Sequence, residues 1–255
     1  MKDVSVIIPY FNSKETILIS LESVNNQTIK PFEVIVVDDH SDVEHSAKFL
    51  EECQFDFKLI VHLHEFNQGA ATARNTGISI SSGYYVAFLD ADDAWVENKL
   101  ELQLNTMMNH NLDYLYSNYS EFYPSINVSV PKLSKVRIGD VFLKNLSPVT
   151  LIAKRSEMLF FDPRLRRCDD YKLSIEALLK EKKIGLLHFN SSYGFKKAIG
   201  ESGLTGSILK MSASFIYANI LLQIKYPKFF FWGCGFILFE LLKFPVRFLR
   251  TRVLK

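Results

Sequence analysis

Three carboxylates crowd one short stretch of this chain: Asp90, Asp92 and Asp93 in FLDADDAW. Clustered carboxylates repel one another and raise each other's pKa unless a cation sits among them. Oxygen ligands suit Mg²⁺ or Mn²⁺, so the cluster points to a hard divalent cation, with a solvated acidic turn as the plainer alternative. A second acidic pair, Asp38 and Asp39, follows EVIVV, a place where aspartate also serves as a helix cap or turn former. A third pair, Asp169 and Asp170 in RRCDDYKLSIEALLK, opens a stretch whose Leu173, Ile175, Ala177 and Leu178 can face a core. Acids there can cap a helix and favour its dipole.

The elements that must position these acids are legible nearby. VSVIIP, EVIVVDD, KLIVHL and YYVAFLD are short and largely apolar without strict alternation, as in strands of a parallel sheet covered on both faces. Between them SKETILISLESVNNQ, the segment from Val43 to Cys53, and GAATARNTGISIS read as helices. That order predicts an open α/β sheet with right-handed crossovers, in which ligands bind beyond the carboxyl ends of the strands. Pro9, Tyr10 and Phe11 follow the first strand, Asp38 and Asp39 the second, and Asp90, Asp92 and Asp93 the fourth. Trp95 and ENKLE are expected to begin the next helix, with Trp95 in a packing role. No phosphate-loop glycine signature is present. The acidic pocket of a phospho-receiver domain would follow the first strand, not the second, and would leave DADD without a role.

At 255 residues, 48% of them hydrophobic, the chain can bury a sizeable core and is not of disordered composition. A net charge of +2 gives no argument for nucleic-acid binding. Three widely spaced cysteines, Cys53, Cys168 and Cys234, fit neither a disulfide framework nor a zinc knuckle, so a reducing compartment is expected. The short apolar run before Pro9 reads as a strand and not as a signal peptide.

Taken together and in order, VSVIIPYFNSKETILISLESVNNQT, FEVIVVDDHSD, NQGAATARNTGI, GYYVAFLDADDAWVENKLE and CDDYKLSIEALL resemble the family 2 glycosyltransferases, over roughly residues 1 to 200. The resemblance implies a GT-A fold that binds a nucleotide-diphosphosugar. It places Pro9, Phe11 and Asp39 around the base and ribose, with Tyr10 as an alternative aromatic; either ring could instead belong to the core. It sets Arg74 facing the nucleotide or diphosphate, where a guanidinium suits the anion; the alternative is a surface arginine on a helix. Asn67, Gly69 and Asn75 are read as cap and packing residues. DADD is similar to the family's DxD motif. Asp92, joined by Asp93, would hold the Mn²⁺ or Mg²⁺, and Asp90 would contact ribose or sugar. Asp170 matches the family's catalytic base and Asp169 its neighbour, with aspartate where the family usually has glutamate. Lys196 and Lys197 stand where related enzymes carry a segment closing over the donor phosphates; they are either those cations or an exposed basic pair.

The last residues are of another kind. LKMSASFIYANILLQIKY reads as an amphipathic helix. FFFWGCGFILFELL, at about fourteen residues with Glu240 inside, is short of the ~20 a spanning helix needs. Lys243, Arg247, Arg250, Arg252 and Lys255 follow with no acid between them, a pattern suited to an interfacial helix on an anionic leaflet. The alternative is a helix buried against the catalytic domain or against a second copy in a homodimer. The expected organisation is α/β, GT-A: a Rossmann-like open, mostly parallel sheet flanked by helices over 1–200, with the nucleotide-sugar half at about 1–110 and the acceptor half at about 111–200. A helical, apolar and basic membrane-associating extension would occupy 201–255. The expected activity is inverting, metal-dependent transfer of a sugar from a nucleotide-diphosphosugar, UDP-linked by preference, to a hydroxyl of a lipid-linked glycan acceptor. The setting is lipopolysaccharide or other bacterial surface polysaccharide synthesis at the cytoplasmic face of the inner membrane. Transfer to a polyprenyl phosphate, which needs no strong base, and a non-catalytic sugar-nucleotide-binding scaffold are the alternatives.

Overall fold

The computed structural model describes residues 3–124, 131–144, 146–194 and 208–253. Four strands, β1 (Val4–Tyr10), β2 (Glu33–Asp38), β3 (Lys58–Leu63) and β4 (Tyr85–Phe88), lie in the order β3-β2-β1-β4, all parallel. Successive side chains of a strand point to opposite faces. Val4, Val6, Ile8 and Tyr10 therefore join the core on the side of helix α1 (Ile17–Asn25), with its Ile17, Leu21 and Val24. Ile7 packs on the other side with Ala71 and Ile78 of helix α2 (Ala70–Ile80). Both faces are covered, which is why these strands read as unbroken apolar runs. Helix α2 lies so close to β1 that a Cβ at Gly77 would collide with Ile7.

The second half adds β5 (Asp93–Trp95), helix α3 (Lys99–His110), β6 (Tyr114–Ser120), β7 (Lys132–Lys135), α4 (Ile138–Leu143), β8 (Ile152–Lys154), α5 (Asp169–Leu179) and β9 (Ile184–Gly194). The sheet continues β4-β8-β6-β9-β5, with β7 also on β9. Here the expected mostly parallel sheet is corrected. The pairs β4–β8, β6–β8, β5–β9 and β7–β9 are antiparallel and only β6–β9 is parallel, so the sheet is mixed. The antiparallel strands are brought in from far along the chain, β8 beside β4 and β5 beside β9, so the direction of each is set by tertiary packing and not by a local hairpin or crossover.

Two local expectations also change. The segment 43–53 forms two 3-10 turns, Val43–His45 and Ala47–Glu52, instead of one α-helix. Asp38 draws it against the strand end by accepting the backbone N–H groups of Ser41 and Ala47, each at 2.8 Å, and Ser46 between the turns is extended. Trp95 packs as expected, but it sits on β5, and α3 starts at Lys99. Its indole is buried and donates to the Val149 carbonyl at 3.0 Å, which fixes the residue in the sheet.

Helices α6 (Ile208–Lys225) and α7 (Phe230–Val253) follow. The two helices are joined by a buried hydrogen bond from Ser212 to Glu240, at 2.6 Å. Against α5, Tyr171 donates to Asn219 of α6 at 2.9 Å and its ring meets Phe215. Phe229 and Phe236 enter the core, while Phe231, Leu238 and Leu242 stay exposed. Among the described residues no helix is long and apolar enough to cross a membrane.

The anchor of this appendage is Glu176 on α5, which accepts from Lys172 at 2.9 Å, Lys225 at 2.7 Å and the Tyr226 hydroxyl at 2.9 Å. Burial opposes its charge, but Lys225, Lys172 and Tyr226 outweigh burial and hold the carboxyl down at about 2. A lowered carboxylate pKa stabilises the fold above the ordinary value of 4.5 and loses that contribution as pH falls toward 2. In Glu176→Gln, Lys172 keeps Asp162 as a partner and Lys225 is 56% exposed, so the loss is expected to be about 1 kcal/mol near neutral pH in denaturant unfolding. The substitution should also flatten the loss of stability that wild type shows on acidification below pH 4.5.

Candidate functional site

Asp39 directly follows β2, and its backbone N–H bonds to the Tyr10 carbonyl at 2.8 Å. Its Oδ1 accepts from the Gln68 N–H at 2.9 Å and faces His64 Nδ1 at 2.8 Å; its Oδ2 accepts from the Gly69 N–H at 2.6 Å. The Asn67 side chain donates to the Asp39 carbonyl at 3.0 Å. Gly69 has φ +90°, a left-handed conformation that a Cβ disfavours, and this lets the loop bring two N–H groups to one carboxylate. Gly69 stands at the N-cap of α2 and Asn67 ties the loop to Asp39, and both also line the cleft. His64 was not foreseen; its other nitrogen lies 2.9 Å from Thr76 Oγ1, so it ties Asp39 to α2. The available signal was its place just beyond the third parallel strand, level with the acids that follow the second and fourth.

Arg74 on α2 is buried and bridges the two halves of the chain. Nη2 lies 2.7 Å from Asp90 Oδ1 and Nη1 3.3 Å from Asp169 Oδ2, and the guanidinium stands 5.4 Å from the centre of the Phe161 ring. Burial alone would lower its pKa; the charges of Asp90 and Asp169 reverse this and raise it. The next residue, Asn75, is a clamp, donating to the Phe161 carbonyl and accepting from the Phe161 N–H, both at 2.8 Å.

The DADD acids have separate surroundings. Asp90 meets Arg74. Asp93 accepts from the Tyr119 hydroxyl at 2.7 Å; burial first, then the charge of Asp90, push its carboxyl up to about 8. Asp92 borders a hollow of about 250 Å³ together with Pro9, Phe11, Asp39, Arg74 and Asp90. Among the described residues no group of three or more His, Cys, Asp or Glu converges into a metal cage. A cage is not what Mg²⁺ requires with a nucleotide, since one or two carboxylates and the substrate phosphates suffice. Beyond burial, the charges of Asp90 and Asp92 raise Asp93, and a divalent cation held through Asp92 would offset that negative charge.

Asp169 and Asp170 open α5. The preceding Cys168 is in the left-handed region at φ +60°, a strain of order 1 kcal/mol for a non-glycine that the packing around it must hold. Asp170 Oδ1 accepts from the Tyr171 N–H at 2.7 Å. Burial, then the charge of Asp169, push the Asp170 carboxyl up to about 7. Asp169 is also raised, by burial against the pull of Arg74. Both acids line a cleft of about 780 Å³ that also contains Phe11, Asp39, Gly69, Arg74 and Asp90.

Pro9, Phe11, Asp39, Arg74, Asp90, Asp92 and Asp170 therefore gather around two adjoining cavities. Tyr10 borders the smaller one, but its ring lies in the core and its hydroxyl donates to the His45 carbonyl; Phe11, 49% exposed, is the aromatic that both cavities share. Lys196 and Lys197 lie outside the described residues. Lys144, Arg166, Arg167 and Met211 also line the cleft and were not foreseen. The arrangement offers an aromatic edge and a carboxylate for a base and ribose, acids for a cation, and a carboxyl poised near neutrality for proton transfer. Replacing Arg74 by Gln removes the charge that favours the ionised form of both Asp169 and Asp170. Their titration, followed by carboxyl NMR, is expected to move to higher pH, with a stability loss of about 3 kcal/mol from the orphaned acids.

Known proteins resemble the chain in sequence and in fold. The profile of "Glycosyl transferase family 2" matches residues 5–159. The UDP-Glc:α-D-GlcNAc-diphosphoundecaprenol β-1,3-glucosyltransferase WfgD of Escherichia coli is 42% identical over 187 residues, 72% of this chain and 73% of that protein. The amylovoran biosynthesis glycosyltransferase AmsB of Erwinia amylovora is 32% identical over 195 residues, 69% of this chain and 65% of that protein. Among solved structures, Staphylococcus aureus TarS 1–349 in complex with UDP-GlcNAc superposes with a TM-score of 0.69 over 87% of this chain and 66% of that one. At 23% identity this likeness shows the fold, a mixed α/β sheet of GT-A type. By the match of its sequence and by the architecture that carries it, the chain belongs to glycosyl transferase family 2 and is a glycosyltransferase.

Proposed function

We propose that the protein transfers a sugar from a UDP-sugar to a hydroxyl of a diphosphate-lipid-linked glycan, with inversion, in the assembly of a bacterial surface polysaccharide. The observation that carries this reading is the position of Asp170, which shares one cleft with Phe11, Asp39, Arg74 and Asp90. The names of the relatives WfgD and AmsB support the donor and acceptor classes. In this reading Phe11 packs against the uracil and Asp39, already oriented by His64, accepts from it. The Asp170 carboxylate takes the proton of the acceptor hydroxyl as its oxygen attacks the anomeric carbon. The bond to the diphosphate breaks on the opposite face and the nucleoside diphosphate leaves. One base suffices for such a single displacement, and Asp169, held by Arg74, keeps Asp170 near the working pH. A divalent cation bound through Asp92 and the donor phosphates would act as a Lewis acid for the charge on the leaving group. The reading includes attachment to an anionic cytoplasmic leaflet, supported by exposed Leu238 and Leu242 and by the basic composition of the chain end.

Incubation with a panel of UDP-sugars and a GlcNAc-diphosphate-lipid tests the reading, with the anomeric configuration of the product read by NMR. Donor binding without transfer to any such acceptor would refute it. Because the base must be ionised, kcat is expected to rise with pH to a plateau, with a midpoint near the 7 to which Asp170 is raised. Asp170→Asn should lower kcat by about 10²- to 10⁴-fold with donor affinity nearly intact, and abolish that rise. Asp92→Asn should weaken Mn²⁺-dependent UDP binding in calorimetry and lower turnover by at least about a hundredfold. Full activity in chelator would remove the cation from the mechanism.

A further inference from the structure

The cleft contains three cations from the second half of the chain that the chemistry above does not use: Lys144, Arg166 and Arg167. Arg166 is exposed, and Lys144 lies 3.4 Å from Asp140 with 40% of its side chain in solvent. Val141 of α4 lines the same cleft, whereas its neighbour Phe142 lines a different cavity, an apolar groove of about 470 Å³. Phe231, Trp232, Gly235, Phe236 and Phe239 of α7 complete that groove. Its floor is rigid: Phe142 stacks face to face on Phe236 at 4.4 Å and meets Phe239 edge-on at 5.1 Å. Its rim is open, with Phe231 86% and Trp232 49% exposed. Helix α4, with Lys144 at its C-terminal end, thus borders both the cationic corner and the groove.

We infer that the corner and the groove form a single acceptor site for a polyprenyl-diphosphate-linked sugar, an inference that rests on the acceptor reading of the cleft given above. Lys144, Arg166 and Arg167 hold the diphosphate, for which guanidinium groups offer paired donors. Arg166 and Arg167 precede Asp169 and Asp170 with only Cys168 between, so an anchored diphosphate leaves its first sugar beside the base. The groove takes the isoprene units next to the diphosphate. A concave, open-ended apolar slot suits one flexible hydrocarbon chain whose far end stays in lipid, whereas a bed for the membrane surface as a whole needs no slot. A soluble glycan acceptor would use neither the groove nor its exposed aromatic rim.

The test uses the full chain without vesicles, at saturating UDP-sugar. Two GlcNAc-diphosphate esters serve as acceptors, one with a long alkyl chain kept below its micellar concentration and one with a methyl group. Wild type is expected to show a KM at least about tenfold lower for the long-chain ester, equivalent to about 1.4 kcal/mol of chain binding. The double variant Phe231→Asn, Trp232→Gln, both on the exposed rim, should erase that difference and leave the methyl ester and donor KM values unchanged. Arg166→Gln combined with Lys144→Gln should raise KM about tenfold for both esters and leave the donor KM unchanged. Equal KM values for the two esters in wild type would overturn this inference alone. A raised donor KM in the cation variant would assign those cations to the donor instead. Rim variants that lose flotation with anionic vesicles, yet keep the low KM for the long-chain ester, would make the groove part of a membrane bed. Transfer to neither ester would remove the acceptor reading, and this inference with it.

Discussion

The site depends on one buried charge. Arg74 sits on a helix of the first half and is held by Asp90, beyond β4, and by Asp169, at the start of α5. A guanidinium out of water is tolerated only with its charge paired, and removing either partner would leave an uncompensated ion. The three elements are therefore constrained to meet, and the Asn75–Phe161 clamp one residue along holds the same junction through neutral hydrogen bonds. The DADD turn and the acidic pair lie 79 residues apart between Asp90 and Asp169, yet this ion-pair bridge makes them neighbours.

Around that bridge the carboxylates are differentiated by their surroundings. Asp39 receives two backbone N–H groups and a histidine, Asp90 and Asp169 share the arginine, and Asp93 receives a tyrosine hydroxyl. Asp170 has a backbone N–H and the charge of Asp169 close by, so its proton is lost near neutral pH. Groups of one chemical type are thereby given an orienting, a pairing or a proton-accepting part.

The C-terminal helices extend the same logic to the far side of the cleft. Glu176 fastens Lys225 and Tyr226 at the end of α6 to α5, and α6 in turn carries α7. Because α5 begins with the acidic pair, the helix that bears Asp170 and the helices that form the apolar groove are parts of one packed unit. The mixed sheet serves this arrangement too, since β8 pairs with β4 and β5 with β9, which joins the first half of the chain to the second.

The sequence by itself determined the four parallel strands, the helices α1 and α2 and the places where the acids cluster. Apolar runs covered on both faces, helical periodicity and the carboxyl ends of strands are local features, written in contiguous residues such as VSVIIP and FLDADDAW. It also marked Pro9, Phe11, Asp39, Arg74, Asp90, Asp92 and Asp170, which gather around adjoining cavities. Tertiary structure decided what depends on residues far apart in the chain. It buried the ring of Tyr10 and left Phe11 at the cleft edge, drew Trp95 into a strand through Val149, and turned 43–53 into 3-10 turns through Asp38. It also set His64 on Asp39, joined Arg74 to Asp169, and brought Lys144, Arg166 and Arg167 to the cleft wall. A carboxylate's partner, and so its charge at a given pH, is fixed by whatever the fold packs within hydrogen-bonding distance, and no local pattern encodes that.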